Sequence, residues 1–211
     1  MCGRKQGMKV ERQLHIISTG KQPLEQFVAI CARVHPYVDV IHVREKMKTA
    51  REISEFLTAL IRRGIPPKKI VVNDRIDVAV VFGVKGVQLA HHSLPVRQVK
   101  RHFPSLSVGC SVHSLEEAME AEKSGADYCI YGHVFPTASK LGEPPRGIES
   151  LQNVVHHVNI PVIAIGGICS DNAEQVLQAG AHGIAVMSAV FCAKDPVGEA
   201  KKLAKIVKKM A

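Results

Sequence analysis

The sequence predicts a single-domain (β/α)8 (TIM) barrel of the α/β class. Eight short apolar runs of strand length alternate with longer helical patterns from residue 13 to residue 210, and no linker interrupts the series. The runs are apolar on both faces, as expected for a parallel sheet that is covered by helices. Eight cycles in 211 residues favour closure into a barrel over an open doubly wound sheet. We therefore expect a polar N-terminal extension at residues 1–12 and a barrel at residues 13–211.

The predicted strands are β-branched or aliphatic runs that are bounded by turn residues. They comprise residues 14–18, 39–44, 70–73, 86–89, 107–112, 127–131, 162–165 and 184–187. A helical pattern follows each of them, at residues 23–34, 49–63, 76–82 and 95–103, from residue 114 onward, and at residues 149–158, 170–178 and 195–210. Pro23 suits the first turn of its helix, and Gly64 suits the position after the second helix. Ser114, with Glu117 three residues later, predicts a capping box, and Ser170 predicts a similar cap.

The composition favours a cytoplasmic protein that handles a small anionic molecule. Lysine and arginine outnumber the acidic residues by 28 to 19, which gives a formal net charge of +9. Much of this excess lies on one face of the last predicted helix without interleaved aromatic residues, so we expect no nucleic-acid binding. No apolar run approaches the ~20 residues of a membrane span, and the basic N-terminus lacks the apolar core of a secretory signal. The six cysteines have no C-x-x-C spacing, which argues against a disulfide framework and against a cysteine metal site.

Polar side chains stand just after the predicted strands, where barrels of this class carry their active sites. Arg44 and Lys46 have the charge to capture a phosphate or a carboxylate, although they could instead form a solvated charge group with Glu45. Asn73 and Asp74 suit either a turn or the supply of metal oxygen ligands. Because the carboxyl ends of all the strands meet at one mouth, we expect these side chains to converge there. The candidate substrate-binding residues are Arg44, Lys46, Asn73, Ser111, His113, Thr137, Ser139 and Lys140.

A phosphate site is predicted after the seventh and eighth strands. Gly166 and Gly167 follow the seventh strand, and Met187 and Ser188 come at the end of the eighth. Glycine lets an oxyanion approach the backbone, and N–H groups at the start of a helix can donate to it. A turn would also explain the two glycines, but their place in the series of strands matches the usual phosphate site of such barrels.

His133 is the predicted catalytic residue. It ends the sixth strand, follows Gly132 and precedes the longest irregular stretch, residues 135–147. Imidazole exchanges protons near neutral pH and so suits acid–base chemistry. The alternative is a structural histidine that is satisfied by a backbone carbonyl at the edge of the core. His91 and His92 lie together in one loop, but no third metal ligand accompanies them.

Five segments together resemble the thiamin phosphate synthase superfamily, whose members are (β/α)8 barrels that handle a thiazole phosphate. In the family's order and along essentially the whole barrel, they are REK at 44–46, NDR at 73–75, GCSVHS at 109–114, FPTASK at 135–140 and AIGGI at 164–168. Two departures separate this chain from the synthase itself. The synthase has a Gly-Pro pair where this chain has Gly132-His133, and a magnesium-binding aspartate where this chain has Ser93.

Both departures resemble the TenI-type thiazole tautomerase, a cofactor-independent isomerase of thiamin biosynthesis. This resemblance implies that the chain isomerises a carboxylated dihydrothiazole ethyl phosphate to aromatic 2-(2-carboxy-4-methylthiazol-5-yl)ethyl phosphate, with His133 moving the protons and with no metal. Asn73, Thr137, Ser139 and Lys140 remain synthase-like, which leaves two alternatives: a magnesium-dependent thiamin phosphate synthase, or a catalytically silent regulatory barrel. The implied partner is a small phosphorylated thiazole, with no nucleic acid and no membrane; the sequence leaves a homo-oligomer open.

Overall fold

The eight strands form a closed parallel barrel in sequence order, as predicted. A computed structural model of the chain describes residues 11–210. Each strand pairs with its neighbours in sequence, and β8 (Gly183–Val186) closes the barrel on β1 (Gln13–Ile17). The predicted N-terminal extension at residues 1–12 falls mostly outside the described residues, as does residue 211 of the predicted barrel.

Each strand after the first is preceded by at least one helix. The remaining strands are β2 (Val40–Val43), β3 (Ile70–Asn73), β4 (Gly86–Leu89), β5 (Ser107–Val112), β6 (Tyr128–Gly132) and β7 (Val162–Ile165). The helices are α1 (Leu24–Val34), α2 (Ala50–Arg62), α3 (Ile76–Val81), α4 (Val96–His102), α5 (Leu115–Lys123), α6 (Gly147–His157), α7 (Ala173–Gln178), α8 (Ser188–Phe191) and α9 (Pro196–Lys209).

Three short segments differ from the sequence prediction. α8 occupies a stretch that was predicted as a loop, and two 3-10 turns, Pro67–Lys69 and Ala138–Lys140, lie where no helix was expected. α7 begins three residues later than predicted. The Asn172 side chain accepts the N–H of Cys169 at 2.9 Å, and so the residues before α7 form a turn instead of its first helical turn.

Apolar residues pack on both sides of the strands. The larger core lies between the outer faces of the strands and the surrounding helices. A smaller cluster fills one side of the barrel lumen and consists of Ile17, Tyr128, Ile130, Ile163 and Ala185. The other side of the lumen is polar, because His15, His42 and Gln88 are all buried there.

The charge excess near the C-terminus lies on the solvent face of α9, as predicted. Lys202 lies 3.7 Å from Glu199 of the same helix, and Lys209 lies 3.3 Å from Glu174 of α7. Both lysines are exposed, and these intramolecular pairs neutralise part of the basic face, so that part needs no external anionic partner. In the described part of the chain, every helix is too short or too polar to cross a membrane.

Candidate active site

Three cations gather at the carboxyl end of the barrel. Arg44 follows β2 and is half-buried, and Lys46 stands two residues further along the same loop. The positive charge of Arg44 lowers the pKa of Lys46, with smaller contributions from burial and from Lys140 of the β6–α6 loop. Within residues 11–210, neither Arg44 nor Lys46 forms a salt bridge. Two neighbouring cations without a salt bridge in this part of the chain, with Lys140 nearby, are suited to binding an anion.

Ser18 bonds to the backbone of Arg44 and to the neighbouring carboxylate of Glu45. Glu45 is buried, and burial raises the pKa of its carboxyl group, while a hydrogen bond from Ser18 and the charges of nearby cations oppose that rise. The Ser18 hydroxyl oxygen also accepts the backbone N–H of Arg44, at 2.8 Å. Glu45 is therefore turned into the protein, and it is not solvated beside the two cations.

Asp74 directly follows β3 and has a left-handed backbone conformation. Its φ angle is 64°, which is uncommon outside glycine. Its N–H donates to the carbonyl of Gln88 at 2.9 Å, and its carboxylate lies 3.9 Å from His92 Nε2. The described residues contain no group of three or more His, Cys, Asp or Glu side chains that could hold a metal alone. A single carboxylate nevertheless fits magnesium, which commonly takes one or two carboxylates together with waters and substrate phosphate oxygens.

Ser93 stands where the resemblance places a magnesium-binding aspartate. Its hydroxyl oxygen accepts the N–H of Ala90 at 2.9 Å, and its own N–H donates to the Ala90 carbonyl at 2.9 Å. These two bonds close a tight turn in the β4–α4 loop. Ser93 therefore has a local structural role in this chain.

Ser111 and His113 leave the same strand but have different surroundings. Ser111 is half-buried, and its hydroxyl oxygen accepts a hydrogen bond from Gln88 Nε2 at 3.0 Å. His113 is engaged by Glu117, whose carboxylate lies 3.2 Å from His113 Nδ1 and accepts the His113 N–H at 2.7 Å. The Ser114 hydroxyl oxygen accepts the N–H of Glu117. The Glu117 side chain thus goes to His113, and the predicted capping box forms only in part.

His133 is buried at the end of the barrel strand that it follows, with 5% of its surface exposed. Its Nε2 lies 3.3 Å from the carbonyl oxygen of Glu143, and its Nδ1 has no hydrogen-bond partner within the described residues. A Cβ placed on Gly166 would lie 2.2 Å from the Cβ of His133, so β7 approaches β6 closely here. The contact with Glu143 is the kind of bond that the structural alternative predicted, and the catalytic role of His133 remains a prediction.

The β6–α6 loop brings Lys140 towards the cations that follow β2. Thr137 shapes the start of the turn, because its hydroxyl oxygen accepts the N–H of Ser139 at 3.4 Å. Lys140 Nζ lies 2.8 Å from the Glu143 carboxylate and is close enough to lower the pKa of Lys46. Thr137 and Ser139 therefore form a turn that places Lys140 at the mouth.

Gly166 and Gly167 let the chain turn tightly after β7. Their φ angles are 105° and 66°, in the region that favours glycine. A Cβ on Gly167 would lie 2.5 Å from the carbonyl oxygen of Pro136, so this glycine also permits contact with the β6–α6 loop. In the described chain, the N–H groups of Gly167 and Ser188 have no hydrogen-bond partner. Together with neighbouring Met187, they leave donors at the ends of β7 and β8 that suit an anion.

Sequence reasoning missed the polar residues inside the lumen. His42 and Gln88 lie within apolar runs whose pattern predicts strands and no site residue, and His15 Nδ1 lies 3.0 Å from His42 Nε2. Side chains alternate along a strand, so His42 and Arg44 share one face. For His42, its position two residues before Arg44 was therefore a signal that pointed into the lumen; Gln88 had no such signal.

The chain is similar to thiamine-phosphate synthases over most of its length. A model of the thiamine monophosphate synthase family matches residues 14–190. The thiamine-phosphate synthase of Pyrococcus furiosus is 45% identical over 163 residues, which cover 77% of this chain and 74% of the relative. That of Chloroflexus aurantiacus is 40% identical over 173 residues, which cover 80% of this chain and 79% of the relative. The solved structure of a thiamine phosphate pyrophosphorylase from Pyrococcus furiosus matches with a TM-score of 0.81 and 37% identity, over 95% of this chain and 98% of that chain.

These comparisons confirm the superfamily and overturn the predicted activity. The curated relatives are named as synthases, which are transferases, so the prediction of an isomerase of the thiazole tautomerase type is wrong. The alternative of a thiamin phosphate synthase fits the relatives better. The departures that favoured the tautomerase, His133 and Ser93, both have local contacts that a structural role explains. The expectation of metal-free turnover depended on the tautomerase resemblance and now lacks that basis.

Proposed function

We propose that this chain, which belongs to the thiamine monophosphate synthase family, is a thiamine-phosphate synthase. Such a transferase joins the pyrimidine and thiazole halves of thiamine phosphate and releases pyrophosphate. One substrate carries a diphosphate and the other a phosphate, so the enzyme must hold two separate anionic groups. The observation that carries the proposal is a mouth with two places suited to anions, one on each side.

The first place is the group of cations Arg44, Lys46 and Lys140, which we assign to the diphosphate. A diphosphate carries more charge than a single phosphate, and three neighbouring cations match it better than two backbone N–H groups would. Charge grows on the diphosphate as its bond to the pyrimidine carbon breaks, and cations fixed beforehand stabilise that charge. Asn73 and the turn formed by Thr137 and Ser139 would supply further polar contacts to the same group.

The second place lies after β7 and β8, which we assign to the phosphate of the thiazole. Gly167 and Ser188 supply N–H groups without partners in residues 11–210, and Gly166 and Met187 complete the backbone around them. Glycine at this position leaves room for the oxyanion. With the two phosphorylated groups on opposite sides, the two rings would meet above the lumen.

A magnesium ion fits the diphosphate side of the mouth. Asp74 would hold it with one carboxylate, next to Asn73, and the remaining ligands would be waters and phosphate oxygens. When bound, the ion would neutralise part of the charge on the leaving diphosphate. The exposed His92 lies beside Asp74, with its Nε2 3.9 Å from the carboxylate.

For the remaining predicted site residues we propose supporting roles. The contact of His133 with the Glu143 carbonyl holds the β6–α6 loop, and through it Lys140, near the first place. Ser111 faces the mouth with a hydroxyl group that Gln88 orients. His113 is engaged by Glu117, and of all the candidates we expect it to contribute least to substrate binding. We expect the ligands to be small phosphorylated molecules; a cytoplasmic location and the absence of nucleic acid stay predictions.

The test is an assay of pyrophosphate release from a pyrimidine diphosphate in the presence of the thiazole phosphate. We expect release by the wild-type chain to require both substrates and magnesium, and to stop when a chelator is added. Lys46→Ala should lower kcat/KM by about tenfold or more, because a charge-assisted contact to the diphosphate is lost. Lys205→Ala removes the same charge from the exposed face of α9 and should change kcat/KM less than about twofold.

Two outcomes would contradict the proposal. One is a folded wild-type chain that releases no pyrophosphate with both substrates and magnesium. The other is an equal effect of Lys46→Ala and Lys205→Ala, which would reduce the cation group to a general surface charge.

A further inference from the structure

Gln88 connects two parts of the mouth from beneath. It lies on β4 with 3% of its surface exposed. Its backbone carbonyl accepts the N–H of Asp74 at 2.9 Å, and its side-chain Nε2 donates to Ser111 Oγ at 3.0 Å. A single buried residue therefore contacts the end of β3 on one side and β5 on the other.

The other atom of the Gln88 amide faces Tyr128 of β6. Gln88 Oε1 and the Tyr128 hydroxyl group are both buried, and neither has a hydrogen-bond partner within the described residues. A Cβ on Gly109 would lie 2.3 Å from Gln88 Oε1 and 2.5 Å from the Tyr128 hydroxyl oxygen. Both polar atoms therefore border the space that this glycine leaves open. A hydroxyl group can donate and an amide oxygen can only accept, so a direct or water-mediated bond between them is complementary.

The orientation of this amide decides what the Ser111 hydroxyl group can do. With Oε1 held towards Tyr128, Nε2 points to Ser111, whose oxygen then acts as an acceptor. Its own proton stays available for another acceptor. Gln88 pairs in register with Gly109, two residues before Ser111, so the amide approaches Ser111 from the amino-terminal side of the barrel. The free O–H bond is left for the mouth side.

We propose that Gln88 is a positioning residue of the synthase site and that it acts through Ser111. It makes the Ser111 hydroxyl group a donor to an oxygen or a ring nitrogen of the bound substrate, and Tyr128 fixes the amide from below. The inference rests on the proposed function, since it takes Ser111 as a contact of the substrate. The apolar strand pattern of β4 alone would assign Gln88 to the core and give it no role in the site.

A double-mutant cycle tests the inference in the pyrophosphate-release assay. Gln88→Met keeps the length of the side chain and removes the amide, and we expect kcat/KM to fall by about tenfold, the size of one or two lost hydrogen bonds. Ser111→Ala should cause a fall of similar size. In the Ser111→Ala background, adding Gln88→Met should change kcat/KM by less than about twofold, because the group through which Gln88 acts is already gone.

A second variant and a matched control accompany the cycle. Tyr128→Phe should lower kcat/KM by about threefold in the wild-type background and have no effect in the Gln88→Met background. Gln13→Met removes another amide, which is half-buried and lies 2.9 Å from His15 Nε2 at the opposite end of the lumen, and should leave kcat/KM unchanged. Thermal unfolding shows whether each variant folds; if Gln88→Met does not, the shorter Gln88→Asn, which keeps an amide but loses its reach to Ser111, takes its place in the cycle.

The outcomes separate this inference from the proposed function. An active wild-type chain in which the effects of the Gln88 and Ser111 variants multiply would uphold the synthase proposal and overturn the role of Gln88. Equal losses for Gln13→Met and Gln88→Met would also overturn it, since the loss would then follow from removing any amide of the lumen. A wild-type chain that makes no thiamine phosphate would overturn both.

Discussion

Half-buried cations at the two ends of the barrel have opposite surroundings. Arg44 follows β2 at the carboxyl end and forms no salt bridge within the described residues, although burial lowers the pKa of its guanidinium group. Lys69 precedes β3 at the amino end, and its Nζ donates to the carbonyl oxygens of His35 and Val38 at 2.9 Å and 2.8 Å. Burial of a charge costs free energy unless a partner repays it. At the mouth this free-energy cost is not offset by a salt bridge, and we propose that a substrate anion supplies the partner.

Replacing each of the two cations in turn should give the largest contrast between loss of activity and loss of stability. Arg44→Ala should lower kcat/KM for pyrophosphate release by about 100-fold, as expected for a lost charge-assisted contact, with little change in the free energy of unfolding. Lys69→Met should lower the free energy of unfolding by about 1–2 kcal/mol, because two carbonyl groups lose a charged donor, with kcat/KM nearly unchanged. Urea unfolding and steady-state kinetics on both variants measure the two effects.

The comparison would fail if both variants lost the same property. A strong destabilisation by Arg44→Ala would mean that this arginine belongs to the scaffold of the β2–α2 loop. A large loss of activity in a folded Lys69→Met variant would mean that unpaired charge does not distinguish the functional end from the structural end.

The fold was predictable because it depends on features that repeat along the chain. Strands such as β7 and β8 are continuous apolar runs, and the helical patterns between the strands set the count of eight. Boundaries were less predictable where a side chain competes with the helix, as Asn172 does before α7. The short helix α8 could not be recognised, because four residues carry too little periodicity.

The places of the candidate residues in the fold could be predicted, but their roles stay predictions. The candidates lie at the carboxyl ends of the expected strands or in the loops that follow them, because strand ends converge in any closed barrel. The tautomerase prediction depended on two single-residue departures, His133 and Ser93, whereas most of the chain resembles the synthases. Each of them forms a local bond, to Glu143 and to Ala90, that leaves the rest of the site unchanged. Gln88 was missed because a polar residue inside an apolar run reveals its partners only when the barrel is closed.

Acid should destabilise the folded protein through the buried histidine pair, His15 and His42. The pair therefore belongs, like Lys69, to the residues that serve stability. Burial, with a smaller effect of the Lys85 charge, lowers the pKa of His42 to about 3, and burial also lowers the pKa of His15. In the unfolded chain both imidazoles take up a proton near pH 6.5. Between pH 6.5 and about 3 the unfolded state therefore binds more protons, and the free energy of unfolding should fall as the pH falls.

We expect this slope to reach up to roughly 1.4 kcal/mol per pH unit for each histidine. Urea unfolding at pH 7, 6 and 5 measures it, and His42→Gln should flatten the slope over that range, where few carboxylates titrate. The same variant at pH 7 serves as the control for lost packing. Parallel lines for the wild type and His42→Gln would mean that His42 is protonated in the folded protein as readily as in the unfolded chain.

The smallest effect on kcat/KM is expected for His113→Ala. This variant tests whether a residue at the mouth must also be free of a protein partner to contact the substrate. His113 follows β5 at the functional end, but Glu117 engages both its ring and its backbone N–H, much as backbone carbonyls engage Lys69. If missing partners mark the substrate contacts, His113→Ala should change kcat/KM by less than about twofold. It should also lower the free energy of unfolding by only about 0.5 kcal/mol, because the pair with Glu117 is exposed.

Ser111→Ala, two residues earlier in the chain, is the matched variant and should lose about tenfold in kcat/KM. A tenfold loss in His113→Ala with an unchanged free energy of unfolding would show that a substrate displaces Glu117 from the imidazole, and that an existing partner does not exclude a residue from the site.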